Sequence, residues 1–224
     1  MSRPTSLDYD FSVFVNCPFD ADYKHLFDAL VFAICECGFI ARCALEIRDG
    51  SQVRIDKIFS IISECRYGIH DISRTELDAA SQLPRFNMPL ELGIFLAAKY
   101  YGDERQREKV CLVLDQEKYR YQKFCSDIAG QDIEAHNGKS QTAVTIVRNF
   151  LQNARAGSAR LDEKERLIPS GSFVFERYEN FLSDLPALCD SLRLNRLELI
   201  FSDYVTLCVE WLKAHPRLVL LPES

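Results

Sequence analysis

The stretch FSVFVNCPFDADYKHLFDALVFAICECG, residues 11–38, decides the fold class. Residues 11–15 are mostly apolar, with valines and aromatic side chains, which is typical of a strand buried on both faces of a parallel sheet. In residues 21–37 apolar side chains recur at spacings of three and four, which predicts a helix that Asp20 caps and Gly38 ends. These apolar residues are Leu26, Phe27, Leu30, Ile34 and Cys37. The stretch therefore predicts one strand followed by one helix.

The same alternation continues along the chain. Three further strands are predicted at residues 39–45, 67–72 and 110–114. Two further helices are predicted at residues 53–65, with Ser51 as a possible cap, and at residues 90–101. Strands that alternate with helices pair in parallel through right-handed crossovers, and helices cover both faces of the sheet. The predicted fold class is α/β, with a doubly wound, mostly parallel, flavodoxin-like sheet.

The C-terminal third shows a different pattern. Residues 117–127 and 142–151 have helical spacing, and residues 153–172 are polar, as in a linker. Residues 173–192, interrupted by Asp184-Leu185-Pro186, and residues 197–212 are also spaced as helices. We expect an α/β domain over residues 8–152, and a linker and helical C-terminal extension over residues 153–224. The apolar residues of this extension must be buried, either on the sheet domain or in a possible homo-oligomer interface.

Composition excludes several classes of function. The formal net charge is −6, and no basic stripe is present that could neutralise a phosphate backbone, so extended nucleic-acid binding is not expected. The nine cysteines are odd in number and no CxxC occurs, which favours reduced core residues over disulfides or a metal site. No secretory signal and no apolar run of membrane-spanning length is present. We expect a soluble, cytoplasmic protein without membrane contact.

Polar side chains end the predicted strands, where open parallel sheets bind ligands. Asn16 follows the first strand, and Asp71 and Ser73 end the third. Strand ends also meet water, and the following helices need caps, so single residues of this kind are weak indicators. His70 precedes Asp71 on a buried strand and should face away from it as a core histidine.

Glu91 is a stronger indicator of a site. It is the one charged residue between Asn87 and Ala98, in a helix that is apolar all round and therefore predicted to be buried. If Asn87 or Met88 caps this helix, Glu91 lies in the first turn, where the helix dipole favours the ionised carboxylate. Gly93 would let the helix approach another backbone or a ligand closely.

These residues carry a family resemblance. The stretches IHDISR (69–74) and NMPLELGIFLAA (87–98) resemble nucleoside 2-deoxyribosyltransferases and TIR-like nucleotide-binding proteins. In that superfamily a strand ends in Asp-(Ile/Leu)-Ser, and a helix opens with Asn followed by Glu-(Leu/Ile)-Gly. The stretch VFVNCPF (13–19) is similar to the superfamily's first strand and its Pro-Phe loop under the substrate. The resemblance covers residues 11–115.

The resemblance implies cleavage of an N-glycosidic bond, with Glu91 as the catalytic carboxylate. NAD or a related nucleotide would be the substrate or ligand, and no cofactor is required. Asp71 would hold a ribose hydroxyl, Asn87 would orient Glu91, and Phe19 would stack on a base. The predicted substrate-binding set is Asn16, Pro18, Phe19, Asp71, Ser73, Asn87 and Met88. A TIR-like antiviral defence role is a further implication.

Alternatives remain open at this point. The reaction can be hydrolysis, as in an NAD glycohydrolase, or transfer, as in a deoxyribosyltransferase. The same crevice can instead serve a non-catalytic nucleotide sensor or adaptor that signals through the C-terminal helices. A phosphorelay receiver is disfavoured, because Asn16-Cys17 lacks the acidic pair that binds Mg²⁺. The link at residues 74–86 and the C-terminal extension depart from the superfamily pattern. Polar residues at 119–136 can complete a pocket but are expected at the surface.

Overall fold

A single five-stranded sheet forms the centre of the protein. The computed structural model describes residues 6–46, 49–75, 77, 82–156 and 167–217. The strands are β1 (Ser12–Asn16), β2 (Ile40–Arg42), β3 (Tyr67–Asp71), β4 (Val110–Asp115) and β5 (Ile133–Ala135). All pairs are parallel, in the order β2-β1-β3-β4-β5. This is the flavodoxin-like order, with its switch point at β1 and β3, so the predicted fold class is confirmed.

Helices cover both faces of the sheet. They are α1 (Ser6–Phe11), α2 (Lys24–Glu36), α3 (Arg54–Ser63), α4 (Asn87–Tyr101), α5 (Glu104–Arg107), α6 (Ser140–Ala156), α7 (Gly171–Ser191) and α8 (Phe201–Ala214). Val13 and Val15 of β1 pack into the cluster formed with α2 and α6, whereas Phe14 packs with α3 and α4. This alternation explains why β1 reads as a continuous apolar run.

Helix ends agree with the sequence in one case and differ in three. The N-cap of α2 is Tyr23 rather than the predicted Asp20, whose carboxylate accepts from the Tyr23 amide at 3.1 Å. Gly38 ends α2 in the left-handed region (φ +78°), and the amide of Phe39 donates to the Ile34 carbonyl at 3.0 Å, as in a Schellman motif. Ser51 does not cap α3, because its hydroxyl binds Asp49 at 2.6 Å and Val53 is the N-cap. The predicted Asn87 or Met88 cap of α4 is also wrong: its N-cap is Phe86.

The C-terminal helices share the main core of the sheet domain. Helix α7 packs on α6 and α2, and α8 packs on α2 and α7. Phe32 of α2 stacks on Phe181 of α7, with ring centroids 5.1 Å apart, and lies 5.8 Å from the Trp211 ring of α8. Burial within the chain therefore accounts for these aromatic residues, whereas Leu192 and Leu197 of the extension are 52% and 94% exposed.

An ion-pair cluster fixes the outer helices to α2. The buried carboxylate of Glu36, at the end of α2, lies 3.0 Å from Arg177 Nε of α7 and 2.7 Å from Arg217 Nε. The guanidinium of Arg177 also lies over the Trp211 ring. A buried carboxylate needs such partners because its desolvation is costly.

Several element boundaries differ from the predicted ones. Residues 117–127 hold two short 3₁₀ helices (Arg120–Lys123 and Ser126–Ile128) rather than one α-helix, and β5 was not predicted. Helix α7 continues through Pro186 without the predicted interruption. Helix α6 runs to Ala156, and residues 157–166 of the predicted linker lie outside the described residues.

The structure shows the state of the cysteines and the length and polarity of the helices. In the described ranges all nine cysteines are free thiols, and six of them are buried. No helix within those ranges has the length and apolar character needed to cross a bilayer.

Candidate functional site

A crevice of about 230 Å³ opens at the carboxyl end of β1, between the first turns of α3 and α4. Six of the predicted site residues line it: Asn16, Pro18, Phe19, Asn87, Met88 and Glu91. Cys17, Leu45, Arg54 and Arg85 complete the lining. The topology explains this grouping. In a doubly wound sheet the strand order reverses next to the first strand, and a crevice forms there at the carboxyl ends of the strands.

Asn16 ties β1 to the first turn of α4. Its buried amide nitrogen donates to the Met88 carbonyl at 2.8 Å and lies 3.0 Å from Nδ1 of His70. Helix α4 is thereby held at a fixed height above the end of β1, which places the residue one turn further along, Glu91, at the crevice.

His70 is a core histidine, as predicted, and it faces α4 rather than α2. It is fully buried, and its ring lies 4.9 Å from the Phe95 ring. Burial and the charge of Lys109 lower the pKa of His70 to about 3, so the ring is neutral. Because Nδ1 accepts the Asn16 amide proton, the ring proton is on Nε2.

Glu91 is a buried carboxyl group that faces the crevice. Its residue is 4% exposed, and within the described parts of the chain Oε2 has no hydrogen-bond partner. Burial raises the pKa of Glu91 from its ordinary 4.5 to about 7, with Arg54 opposing the rise. The residue is the fifth of α4, so the predicted first-turn position is wrong and the helix dipole contributes less than expected.

Asp71 and Ser73 do not line the crevice, so their predicted grouping with Glu91 is wrong. Asp71 is fully buried on the α2 side of the sheet, where its carboxylate accepts from the Tyr23 hydroxyl at 2.5 Å and from the Ser73 amide at 2.8 Å. His136 Nε2 lies 3.0 Å from Oδ2 but off the hydrogen-bonding direction. Side chains point alternately to the two faces of the sheet, so a position at the strand end does not determine toward which face a side chain points.

Part of the loop after β4 is buried rather than at the surface as expected. His136 is 2% exposed, and Tyr121 is also buried. Arg120 binds Asp115, with Nε 3.0 Å from Oδ1, as well as the Ser73 carbonyl and the Thr75 hydroxyl. These contacts fix the chain after β3, and none of these residues lines the crevice.

A second cavity of about 210 Å³ adjoins the crevice and shares Pro18, Phe19 and Leu45 with it. Its other walls come from the start of α2 and from α8, including Phe27, Phe201 and Tyr204. The C-terminal extension therefore borders the predicted Pro-Phe loop, a contact that the sequence pattern did not indicate.

Two predicted properties of α4 are wrong. The helix is not buried all round: Leu90 is 56% and Tyr101 is 90% exposed, because only one side of α4 packs on the sheet. Gly93 makes no close approach to another part of the described backbone, since a Cβ placed there would meet nothing within 4 Å, and its approach to a ligand stays a prediction.

The sequence interpretation missed Arg54, Arg85 and Cys17 in the crevice. A signal was available for Arg54, which opens the helix after β2 and so lies at the ligand-binding edge. The Cys17 thiol is not a candidate nucleophile, because burial and the nearby carboxylates of Asp71 and Glu91 raise its pKa well above the ordinary value.

Neither a metal site in the described part of the chain nor a known relative assigns a chemistry to the crevice. Within the described residues, no group of three or more histidine, cysteine or acidic side chains is placed to hold a metal ion. Comparisons with protein-family models, with curated proteins and with solved structures found no match to this chain.

Proposed function

We propose that the protein cleaves the N-glycosidic bond of a nucleotide or nucleoside, with Glu91 as the catalytic carboxylate. One observation carries the proposal: a carboxyl group that is 4% exposed, with no partner for Oε2 in the described chain, lines a crevice at the ligand-binding edge of the sheet. Such a group is costly to bury, and perturbed carboxyl groups in clefts are typical of active sites.

The number of acidic side chains in the crevice limits the kind of leaving group. Among the described residues that line the crevice, Glu91 is the only acidic one. Glycosidases that protonate a poor leaving group use a second carboxyl group as general acid. A crevice with one carboxylate therefore suits a leaving group that departs without protonation.

The proposed reaction is a substitution at the anomeric carbon, C1′. The C1′–N bond breaks and its electron pair goes to the base nitrogen, while the ionised Glu91 stabilises the positive charge at C1′ or forms an ester bond to it. A water molecule, or a hydroxyl or base nitrogen of an acceptor, then bonds to C1′ and releases its proton to bulk water, and any ester bond between C1′ and Glu91 breaks. The carboxylate is regenerated at the end of the cycle.

A nicotinamide nucleotide is the substrate that the electrostatics favour. Its ring nitrogen carries a positive charge and becomes neutral when it receives the bond electrons, so no general acid is required. The cationic ring also favours the ionised form of Glu91, whose pKa of about 7 leaves it half protonated at neutral pH. Phe19, at the rim between the two cavities, can stack on the ring.

Chromatography of released base tests the proposal. The purified protein is incubated with NAD, NADP and a nucleoside panel, with and without a second base as acceptor. We expect base release by the wild type and its loss in Glu91→Gln, which keeps the side-chain volume and removes the charge. Glu104→Gln, on exposed α5 at the opposite edge of the sheet, is the matched control and should retain activity.

Two outcomes would overturn the glycosidase proposal. The first is activity of Glu91→Gln within about tenfold of the wild type, since this is only ~1.4 kcal/mol of barrier. The second is tight binding of a nucleotide without release of base, which would support the nucleotide sensor instead.

A further inference from the structure

We propose that the crevice selects a phosphate-bearing ligand, a nucleotide rather than a nucleoside, and that Arg54 and Arg85 bind the phosphate. The inference rests on the proposed function in one respect: it takes the Glu91 crevice as the ligand site. The family resemblance already implied a nucleotide, and the inference adds a requirement for its phosphate and two binding residues that the resemblance did not supply.

The distribution of charge is the first argument. The whole chain carries a formal charge of −6, yet two of the ten residues that line the crevice are arginines and one is acidic. Even with Glu91 ionised, the formal charge of these lining residues is +1, from two arginines and one glutamate, inside an acidic protein. Arginine binds phosphate oxygens with paired N–H donors, which gives both affinity and orientation.

The two helix starts are the second argument. Arg54 is the first residue of α3 and Asn87 the first of α4, and both line the crevice. The N-cap residues are Val53 and Phe86, whose side chains have no oxygen to accept the first amide protons. Uncapped N-termini of helices bind phosphate through these amides and through the positive end of the dipole.

The buried carboxyl group of Glu91 is the independent third argument. It lines the same crevice with Oε2 unpartnered in the described chain, so the crevice is built to meet a ligand atom that the protein does not itself supply. A negatively charged phosphate cannot be that atom's neighbour without repulsion. The ligand must therefore place its phosphate at the arginines and its uncharged or cationic sugar end at Glu91, which is the layout of a nucleotide.

Paired ligands separate the phosphate contribution from the rest. Titration calorimetry with the Glu91→Gln protein compares nicotinamide mononucleotide with nicotinamide riboside, which differ only in the phosphate. We expect the mononucleotide to bind at least about tenfold more tightly, and its affinity to fall as salt is raised.

Arginine variants in the Glu91→Gln background assign the contact. Arg54→Gln and Arg85→Gln should each weaken the mononucleotide by about tenfold and the riboside by less than about twofold. The corresponding lysine variants keep the positive charge and should lose less affinity for the mononucleotide. Arg107→Gln, on α5 at the opposite edge of the sheet, is the matched control and should bind both ligands as the parent does. Because both crevice arginines are exposed, these variants should fold.

The results distinguish this inference from the proposed function. Equal affinity for the two ligands, equal weakening of both by the arginine variants, or no binding of either would overturn the phosphate site. Base release from the riboside as fast as from the mononucleotide would also overturn it, while leaving the glycosidase proposal intact. Phosphate-selective binding without any base release by the wild type would support the phosphate site and overturn the glycosidase proposal.

Discussion

Two buried carboxylates near the ends of β1 and β3 illustrate how environment separates similar residues. Asp71 is fully buried and has a tyrosine hydroxyl and a backbone amide as donors, so it stabilises the fold. Glu91 is nearly as buried, but its Oε2 has no donor in the described chain. An unpartnered carboxyl group raises the free energy of the folded state, and this cost is usually retained where a ligand needs the group.

The pH dependence of activity should report the ionisation of Glu91. If the ionised carboxylate opposes the charge at C1′, kcat/KM for NAD should rise as pH increases through about 7 and then level off. Burial raises the pKa of the Cys17 thiol, which faces the same crevice, well above its ordinary value, so this thiol adds no transition over the range. A rate profile measured between about pH 5 and 9 checks this. A rate that falls through pH 7 would instead indicate that protonated Glu91 acts as an acid.

Replacement of Glu91 should stabilise the protein at high pH. The unfolded state ionises Glu91 near 4.5 and the folded state near 7, so stability is lost as pH rises between these values. The full difference corresponds to at most roughly 3 kcal/mol. Urea unfolding should therefore show Glu91→Gln to be more stable than the wild type at about pH 8, and nearly equal to it at about pH 4. The same advantage at both values would contradict the assigned pKa.

At the level of elements, α4 is placed by two contacts with the sheet. Asn16 of β1 binds the Met88 carbonyl in its first turn, and Phe95 lies directly over Gly68 of β3. A Cβ at Gly68 would lie 2.9 Å from the Phe95 ring and 2.6 Å from His70 Nε2. The absence of a side chain at Gly68 therefore allows the close approach that brings the start of α4 to the crevice.

Two glycine-to-alanine substitutions should have opposite effects. Gly68→Ala should destabilise the protein by about 1–3 kcal/mol, because α4 must move away from β3. Gly93→Ala on the open side of α4 should stabilise it by about 0.5–1 kcal/mol, because alanine favours the helix and nothing lies within 4 Å. Chemical denaturation measures both. Destabilisation by Gly93→Ala would show that the open side of α4 is covered by something else.

At the level of the whole molecule, the C-terminal helices are part of one core. Helices α7 and α8 bury aromatic residues against α2, and α8 forms a wall of the cavity next to the crevice. The extension therefore borders the candidate site, while its described residues, 153–156 and 167–217, contribute none of the lining of the Glu91 crevice itself. Its possible part in a homo-oligomer stays a prediction, for which light scattering of the full-length protein is the measurement.

The ion pairs of Glu36 should contribute strongly to attachment of the outer helices. Glu36→Ala leaves Arg177 and Arg217 without their carboxylate and should destabilise the protein by about 3–5 kcal/mol. Glu179→Ala, an exposed position on α7, is the matched control and should change stability by less than about 0.5 kcal/mol. Thermal unfolding compares the two, and equal effects would contradict the assigned role of Glu36.

Removal of the C-terminal helices should expose apolar surface. A chain truncated after residue 156 lacks α7 and α8, so Phe32 and its neighbours on α2 lose their cover. We expect insoluble protein, or binding of a hydrophobic dye by any soluble fraction. A soluble, cooperatively folding truncated domain would show that the extension is an independent appendage.

The sequence by itself determined the α/β class, four of the five strands and the approximate position of the main helices. These follow from local patterns: an apolar run marks a doubly buried strand, and three- and four-residue spacing marks a helix face. The short β5, with one buried residue of three, carries no such pattern. The chain also placed Glu91, Asn16 and Phe19 at one edge of the sheet, because parallel strands all end on the same side.

Only the tertiary structure decided which polar residues share a site. Asp71 and Glu91 belong to two motifs of one family resemblance, yet Asp71 points to the α2 side of the sheet while Glu91 reaches the crevice from α4. Arg54 and Arg85 join that crevice from separate segments, and the C-terminal helices border it after a long stretch of chain. The physical reason is that local spacing reports which side of its own element a residue occupies, whereas the partner of that side depends on how distant elements pack.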